Sequence, residues 1–519
     1  MKGPLLSMRC DPMVDYFNDR LSAARHLADD HRFEEAIVLF NCLCEEYPNR
    51  AAPIIDSANA YSRVFDYAAV ARRFAQVEAR SPVPADVWTA MAEIGERLRR
   101  PQWATRYFIN SISTAIPSAR AFGLFALYLE RANQLDQAEE SCDRGLNLEP
   151  GNKFCRFAKA KVLRRRKSYD QAGQVLSDLI AIADPADRIL IAALFELAHV
   201  RDSQDDCSGA IDALLRAKRL SAQSPEHLAF QRRSVLSLHN HHRFLTTLNA
   251  AYFKAAQLWQ PPGEHRMALL GGHPRSGTTL LEQVLDAHSN IISAEETLVF
   301  GSKVNDPFLR ELTGVDASAA ALNVSEQRIE SLRNAYFSTM EIVLNESVGG
   351  RVLIDKNPSY TDCIPVIARV FPEASYIIAI RDPRDVVLSC FFQDLPVNDV
   401  SVHFQTLKDT AMRYANTMAM WLVCRENMDS GKWIEVQYEA LVTSLPEVTR
   451  RVMAFLNLDV QPLQSTPQLH ALSRRVVSPT YADVSQPVHQ QAVGKWKKYE
   501  RWLGEAMPIL ETFIAAFDY

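Results

Sequence analysis

The sequence predicts an α-solenoid of two-helix repeats followed by an α/β domain with a central parallel sheet. Three observations predict it. Small residues recur in two columns at intervals of 34 through the N-terminal part of the chain. A loop running from Gly272 to Gly277 follows an apolar run and opens a helical pattern. Three later apolar runs each end in charged or aromatic residues and lead into further helical patterns.

Ala24, Ala58, Ala92, Ala126 and Ala160 form the first column, at intervals of 34. Ala36, Val70, Ala104, Ala138 and Ala172 form the second, twelve residues later in each unit. Pro48, Pro82, Pro117, Pro150 and Pro185 close the units within one residue of the same register. This is the tetratricopeptide-repeat period, with small residues where paired helices cross closely. An irregular bundle would not keep two phase-locked columns. Trp88, Ala92, Ala104 and Phe108 match the pattern within one unit, and a displaced sixth unit runs through Ala198 and Ala210. The expected organisation is a solenoid of about six repeats over 1–220, a helical linker or cap over 221–263, and a second domain over 264–519. Pro261-Pro262-Gly263 is the breaker at that boundary. Stacked repeats present a concave face that binds a peptide or partner protein, or packs on a neighbouring domain.

The second domain begins with Met267-Ala-Leu-Leu270 as a short buried strand. Gly272-His-Pro-Arg-Ser-Gly277-Thr278-Thr279 then has the spacing of a phosphate-binding P-loop, but Thr278 stands where that motif has lysine. A helix follows from Thr278 to His288, with Leu281, Val284 and Leu285 on one side. Its N-terminal N–H groups and dipole would hold an anion, and Arg275 supplies charge from inside the loop. Without the lysine the loop is poorly equipped to clamp the β/γ end of ATP.

Val352-Leu353-Ile354 ends in Asp355-Lys356-Asn357-Pro358, and Tyr376 to Ile380 ends in Arg381-Asp382-Pro383, with Ser389 on the helix that follows. Trp433 to Val436 ends in Gln437-Tyr438-Glu439. In an open α/β sheet, ligands bind beyond the carboxyl ends of the strands. Arg275, Lys356, Arg381 with Ser389, and Tyr438 would therefore converge on one highly anionic nucleotide.

These residues resemble a sulfotransferase that uses 3′-phosphoadenosine 5′-phosphosulfate (PAPS). Pro274-Arg-Ser-Gly-Thr-Thr-Leu-Leu281, Leu285-Asp-Ala-His288 and Ala294-Glu-Glu-Thr297 are similar to the tyrosylprotein sulfotransferases. The resemblance implies that Arg275, Ser276, Gly277, Thr278 and Thr279 grip the 5′-phosphosulfate, and that Arg381 and Ser389 hold the 3′-phosphate. It implies nucleotide contacts from Tyr438, Thr480 and Lys495, a catalytic base at Glu296 and a catalytic lysine at Lys356. Gln393 stands where a second basic residue often follows the 3′-phosphate serine, and Pro479-Thr480 replaces the usual pair of a small residue and serine. Together with the repeats, the chain resembles a bacterial class of tetratricopeptide-repeat sulfotransferases.

The chemistry asks for the same residue types. A carboxylate within hydrogen-bond reach can take the acceptor's proton. Cations stabilise charge as it builds on the leaving phosphate. Glu296 suits the first role; Arg275 and Lys356 suit the second. A phenol, with a pKa of about 10, suits a carboxylate base better than a sugar hydroxyl does. No metal is expected.

Simpler readings bear on several residues. Paired acids such as Glu295 and Glu296 can merely decorate a helix N-terminus, but Lys356 and Arg381 downstream favour the base role for Glu296. Asp382-Pro383 reads as an N-cap with proline at N1, a structural signal. Tyr438 also fits a strand-end core aromatic, Lys495 an exposed helix-start lysine, and His273 a structural histidine ranked below Glu296 as base.

With 519 residues and 47% hydrophobic content the chain can bury two cores, and a net charge of −5 argues against a general nucleic-acid surface. Nine cysteines without metal-ligand spacing suggest free thiols in a reducing compartment. No run approaches transmembrane length and the N-terminus lacks a signal-peptide core, so the cytoplasm is expected. The acceptor could be a peptide tyrosine brought by the repeats, a glycan or a small hydroxylated molecule. Two alternatives stay open: a P-loop nucleotide kinase or ATPase, and a repeat scaffold with a degenerate transferase domain. The loops around 302–326 and 395–406 would select the acceptor.

Overall fold

In the computed structural model, residues 16–263, 265–473, 478 and 481–519 are described. The chain separates into two compact units, Met1–Phe125 and Ala126–Tyr519.

The first unit contains the paired helices Tyr16–Asp29 and Phe33–Glu46, Ala51–Arg63 and Tyr67–Glu78, and Ala85–Arg97 and Pro101–Ile112. The same pattern continues through the second unit as Leu135–Leu148, Lys153–Arg165, Tyr169–Ile182, Arg188–Ser203 and Cys207–Ala222, with Ala119–Arg131 starting the fourth pair. Every member of the two small-residue columns is completely buried, from Ala24 and Ala36 to Ala160 and Ala172, and so are Ala198 and Ala210. A larger side chain there would force the helices of a pair apart. The turns within pairs repeat as faithfully. His31, Phe65, Arg99, Asn133, Lys167 and Asp205 all have φ between 57° and 66°. In each case the next amide reaches back to the carbonyl five positions before it, as Arg32 does to Leu27 and Ser168 to Leu163. That is the Schellman helix stop, built six times without glycine.

The second unit also contains a five-stranded parallel sheet: β1 (Arg266–Gly272), β2 (Ile291–Glu295), β3 (Val352–Lys356), β4 (Ser375–Ile380) and β5 (Trp433–Gln437). The strand order is β2-β3-β1-β4-β5. β1 is buried along all but its first residue, as a central parallel strand covered on both faces must be. Four of these strands match the sequence expectation. The fifth, β2, was not expected: its apolar Ile291-Ile292 is too short a signal by itself. It pairs with β3 so that Glu295 lies beside Lys356. β1 has β3 on one side and β4 on the other, so the chain reverses its direction of winding between β1 and β4. The crevice beyond their carboxyl ends is where such sheets bind ligands.

Within this unit the last repeat shares an apolar core with the helix Pro383–Phe392. Leu194, Phe195 and Leu214 pack with Leu388, Phe391, Phe392 and Tyr499. After the helices Pro225–Thr247 and Ala250–Ala256, Tyr252 Oη donates to the Pro365 carbonyl of the helix Ile364–Val370 at 2.7 Å. Among the described residues, no helix is long and apolar enough to cross a membrane.

Candidate active site

The loop after β1 is shaped by two glycines. Gly272 has φ 130°, and a Cβ on it would lie 2.4 Å from the Ala379 carbonyl oxygen of β4. Gly277 has φ 93°, and a Cβ there would lie 2.5 Å from the Tyr438 ring. Thr361 Oγ1 bonds both the amide and the carbonyl of Gly272 at 2.7 Å. Gly277 offers no side-chain cap to the helix Thr278–Asp286, whose first N–H groups have no partner within the helix.

At the crevice between β1 and β4, four of the sequence-derived residues meet. Arg275, itself at φ 75°, donates from Nε to Ser389 Oγ at 3.0 Å. Arg381 donates from Nη1 to the Arg275 carbonyl at 3.1 Å, and its guanidinium lies 4.8 Å from the centre of the Tyr438 ring. Asp385 sits 3.7 Å from Arg381. The Arg381 Nε is buried without a hydrogen-bond partner. Burial pushes the Arg275 guanidinium below its ordinary pKa, opposed by Cys390, Asp483 and Glu296.

The second cluster lies at the ends of β2 and β3. Lys356 is completely buried, with Nζ 2.8 Å from Glu296 Oε1, 3.3 Å from Glu282 Oε2 and 3.7 Å from Glu295 Oε1. Burial alone would depress this ammonium; Glu282, Glu296 and Glu295 outweigh it and hold the pKa above the ordinary lysine value. Glu282 and Glu295 are sealed from solvent, whereas the Glu296 side chain keeps 37% of its exposure. Of the three carboxylates, Glu296 is the one an incoming molecule can reach.

Thr278 and Thr279 are buried at the helix start, and Thr279 Oγ1 donates to Ser478 Oγ at 2.9 Å. Ser276 is also buried there. The Ser478 amide donates to Glu295 Oε1 at 2.9 Å, tying the helix start to the carboxylate cluster. Thr480 and its neighbour Pro479 lie outside the described residues. Lys495 is directed elsewhere: its Nζ pairs with Asp202 of the last repeat and lies 4.8 Å from the Phe392 ring centre. His273 is fully buried between Phe404 and Tyr414, bonds the Pro274 carbonyl, and is pushed down to about 3 by burial. It stays neutral at ordinary pH and is not presented to an incoming molecule. Asp382 caps its helix as expected, accepting from the Arg384 amide at 2.9 Å, and also accepts from Trp496 Nε1 at 3.0 Å. Gln393 forms the C-cap of the same helix.

Sequence reading missed Glu282 and Ser478. Glu282 falls in the middle of the loop helix, and only its position, four residues after Thr278 and on the side facing β3, gives it meaning. Nothing local marks Ser478.

The stretch that carries the strand–loop–helix, the buried lysine and the accessible carboxylate was compared with known proteins. Residues 268–462 match the sulfotransferase family. This stretch is a sulfotransferase-family domain. It contains Arg275, Glu296, Lys356, Arg381, Ser389 and Tyr438; Ser478 and Lys495 lie beyond it. An uncharacterised protein of Aquifex aeolicus is 24% identical over 358 residues, covering 66% of this chain and 44% of the relative. The chain thus spans less than half the length of that relative. Protein-tyrosine sulfotransferase 1 of Danio rerio is 25% identical over 261 residues, covering 49% of this chain and 72% of the relative. The sulfotransferase domain of the Synechococcus PCC 7002 olefin synthase aligns with 49% of this chain and 98% of its own, at 21% identity and a TM-score of 0.36. Among the described residues, no group of His, Cys, Asp and Glu is arranged to hold a metal ion.

Proposed function

We propose that this protein transfers a sulfuryl group from PAPS to the hydroxyl of a peptide tyrosine. One observation supports it above the others: the accessible Glu296 carboxylate lies 2.8 Å from the buried Lys356 ammonium, next to a loop whose Arg275 contacts Ser389. Relatives named protein-tyrosine sulfotransferases support tyrosine as the acceptor.

The acceptor oxygen attacks sulfur, an O–S bond forms, and the bond from sulfur to the 5′-phosphate oxygen breaks. The electron pair leaves on adenosine 3′,5′-bisphosphate, and the acceptor proton goes to Glu296. Lys356 and Arg275 stabilise the charge arriving on the phosphate. The anionic donor offers Lys356 an alternative partner, which frees Glu296 to act as base. Ser276, Gly277, Thr278 and Thr279 supply the loop amides and hydroxyls around the 5′ end; Arg381 and Ser389 hold the 3′-phosphate, against Tyr438. Lys495 reaches the nucleotide only by exchanging Asp202 for it. The described cysteines are all free thiols, which fits work in the reducing cytoplasm.

Calorimetric titration with adenosine 3′,5′-bisphosphate, ADP and ATP, with and without magnesium, tests this reading. Tight metal-independent binding of the bisphosphate with weak ATP supports it, and an acceptor screen then separates tyrosine peptides from glycans and small molecules. Binding of ATP with magnesium alone would replace it with a kinase or ATPase. Absence of any binding would leave a scaffold.

A further inference from the structure

The repeat helices Ala119–Arg131 and Lys153–Arg165 gather four charged side chains around a single phenol, that of Tyr481. Tyr481 Oη donates to the Glu130 carboxylate at 2.6 Å. Lys161 Nζ bonds Tyr481 Oη at 3.0 Å and pairs with Glu130 at 2.8 Å. Arg165 closes on the other carboxylate oxygen at 2.8 Å. The Arg131 guanidinium lies 4.7 Å from the centre of the Tyr481 ring. Glu130 is completely buried and Tyr481 nearly so.

The other side of Tyr481 faces the donor loop. Its ring packs with Ala471, Val484 and Leu280, the last on the helix Thr278–Asp286. Three residues before it, Ser478 bridges Thr279 and Glu295. A buried ion network adds little stability over well-packed apolar side chains, but it fixes register. Here it fixes Tyr481, whose amide donates to the Ser478 carbonyl at 3.1 Å. This patch of the repeat surface is therefore occupied by Tyr481 of the same chain. A second grip lies further along the chain, where Tyr499 Oη donates to Asp202 at 2.7 Å beside the Lys495 pair.

We propose that the repeats act as an internal clamp on the donor site, with Tyr481 as a positioning residue. Glu130 and Lys161 hold Tyr481, Tyr481 holds Ser478, and Ser478 sets Thr279 and Glu295. The link to nucleotide affinity rests on the donor-site reading above; the clamp itself does not.

Tyr481→Phe removes the hydroxyl and keeps the ring, and Glu130→Gln keeps the shape and removes the charge. Hydrogen exchange on the full chain is the first readout. In either variant the amides of Ser478 and of 275–281 should exchange roughly tenfold faster. The double variant should exchange no faster than the worse single one, because both changes break one network. With the wild type binding adenosine 3′,5′-bisphosphate, each variant should weaken that binding by a similar factor. Unchanged exchange at those amides in both variants overturns the clamp, even if the melting temperature falls, because the network would then be purely structural. Additive effects in the double variant overturn it too. A wild type that ignores the bisphosphate defeats the donor-site reading, while exchange still decides the clamp.

Discussion

Glu296 and Lys356 are joined twice: the Glu296 amide donates to the Lys356 carbonyl at 2.7 Å, and Lys356 Nζ donates to Glu296 Oε1 at 2.8 Å. The backbone bond holds Glu296 in a left-handed conformation, φ 45°, just beyond β2. The carboxylate is thereby fixed at the strand end with its ammonium partner behind it and solvent in front.

Glu296→Gln should remove the base and spare the nucleotide site. We expect turnover to fall by about 10²- to 10⁴-fold, with bisphosphate affinity unchanged in a direct titration. Wild-type turnover in the variant would dismiss Glu296 as base.

Lys356→Met should do more damage to the fold than to any single contact. It leaves Glu282 and Glu295 buried without their cation, and breaking such a group costs about 3–5 kcal/mol. Urea unfolding of the purified variant reads this loss, and a change below about 1 kcal/mol would contradict the ion cluster.

Arg381→Ala should weaken adenosine 3′,5′-bisphosphate by roughly ten- to a hundredfold, the worth of one lost charge-assisted hydrogen bond. Adenosine 5′-phosphosulfate, which lacks the 3′-phosphate, should be affected much less. Equal weakening of both would mean that Arg381 acts only by supporting the Arg275 carbonyl and the Tyr438 ring.

Lys167→Gly should stabilise the protein by about 1 kcal/mol, since an exposed side chain at φ 62° carries a strain glycine lacks. The gain should appear as a higher urea midpoint at unchanged slope.

His273 gives a pH prediction with a definite sign. Its folded pKa is depressed from 6.5 to about 3, so the unfolded chain takes up a proton that the folded one refuses. Its contribution to stability is complete above pH 6.5 and is lost as pH falls toward 3. The slope reaches about 1.4 kcal/mol per pH unit for one such group. His273→Gln should flatten that part of the stability profile by this amount; an identical profile would show that His273 protonates freely in the folded state.

By itself the sequence determined whatever depends on short windows. The alanine columns mark helix crossings because a helix pair repeats its close contact at a fixed spacing, and all ten positions prove completely buried. The loop glycines and the charged strand ends were legible because turn conformation and strand termini are local. Bringing Arg275, Arg381, Ser389 and Tyr438 to one crevice needed only the rule that parallel strands share one carboxyl edge; the direct bond from Arg275 to Ser389 did not follow from it. What the tertiary structure decided lies between distant positions. β2 becomes a strand because β3 is there to pair with it. Glu282 matters because the helix turns it toward Lys356. Lys495 is committed to Asp202 because the last repeat packs on the helix Pro383–Phe392. Tyr481 and Glu130, 351 residues apart, meet only in the folded second unit, and no pattern in either segment encodes the other.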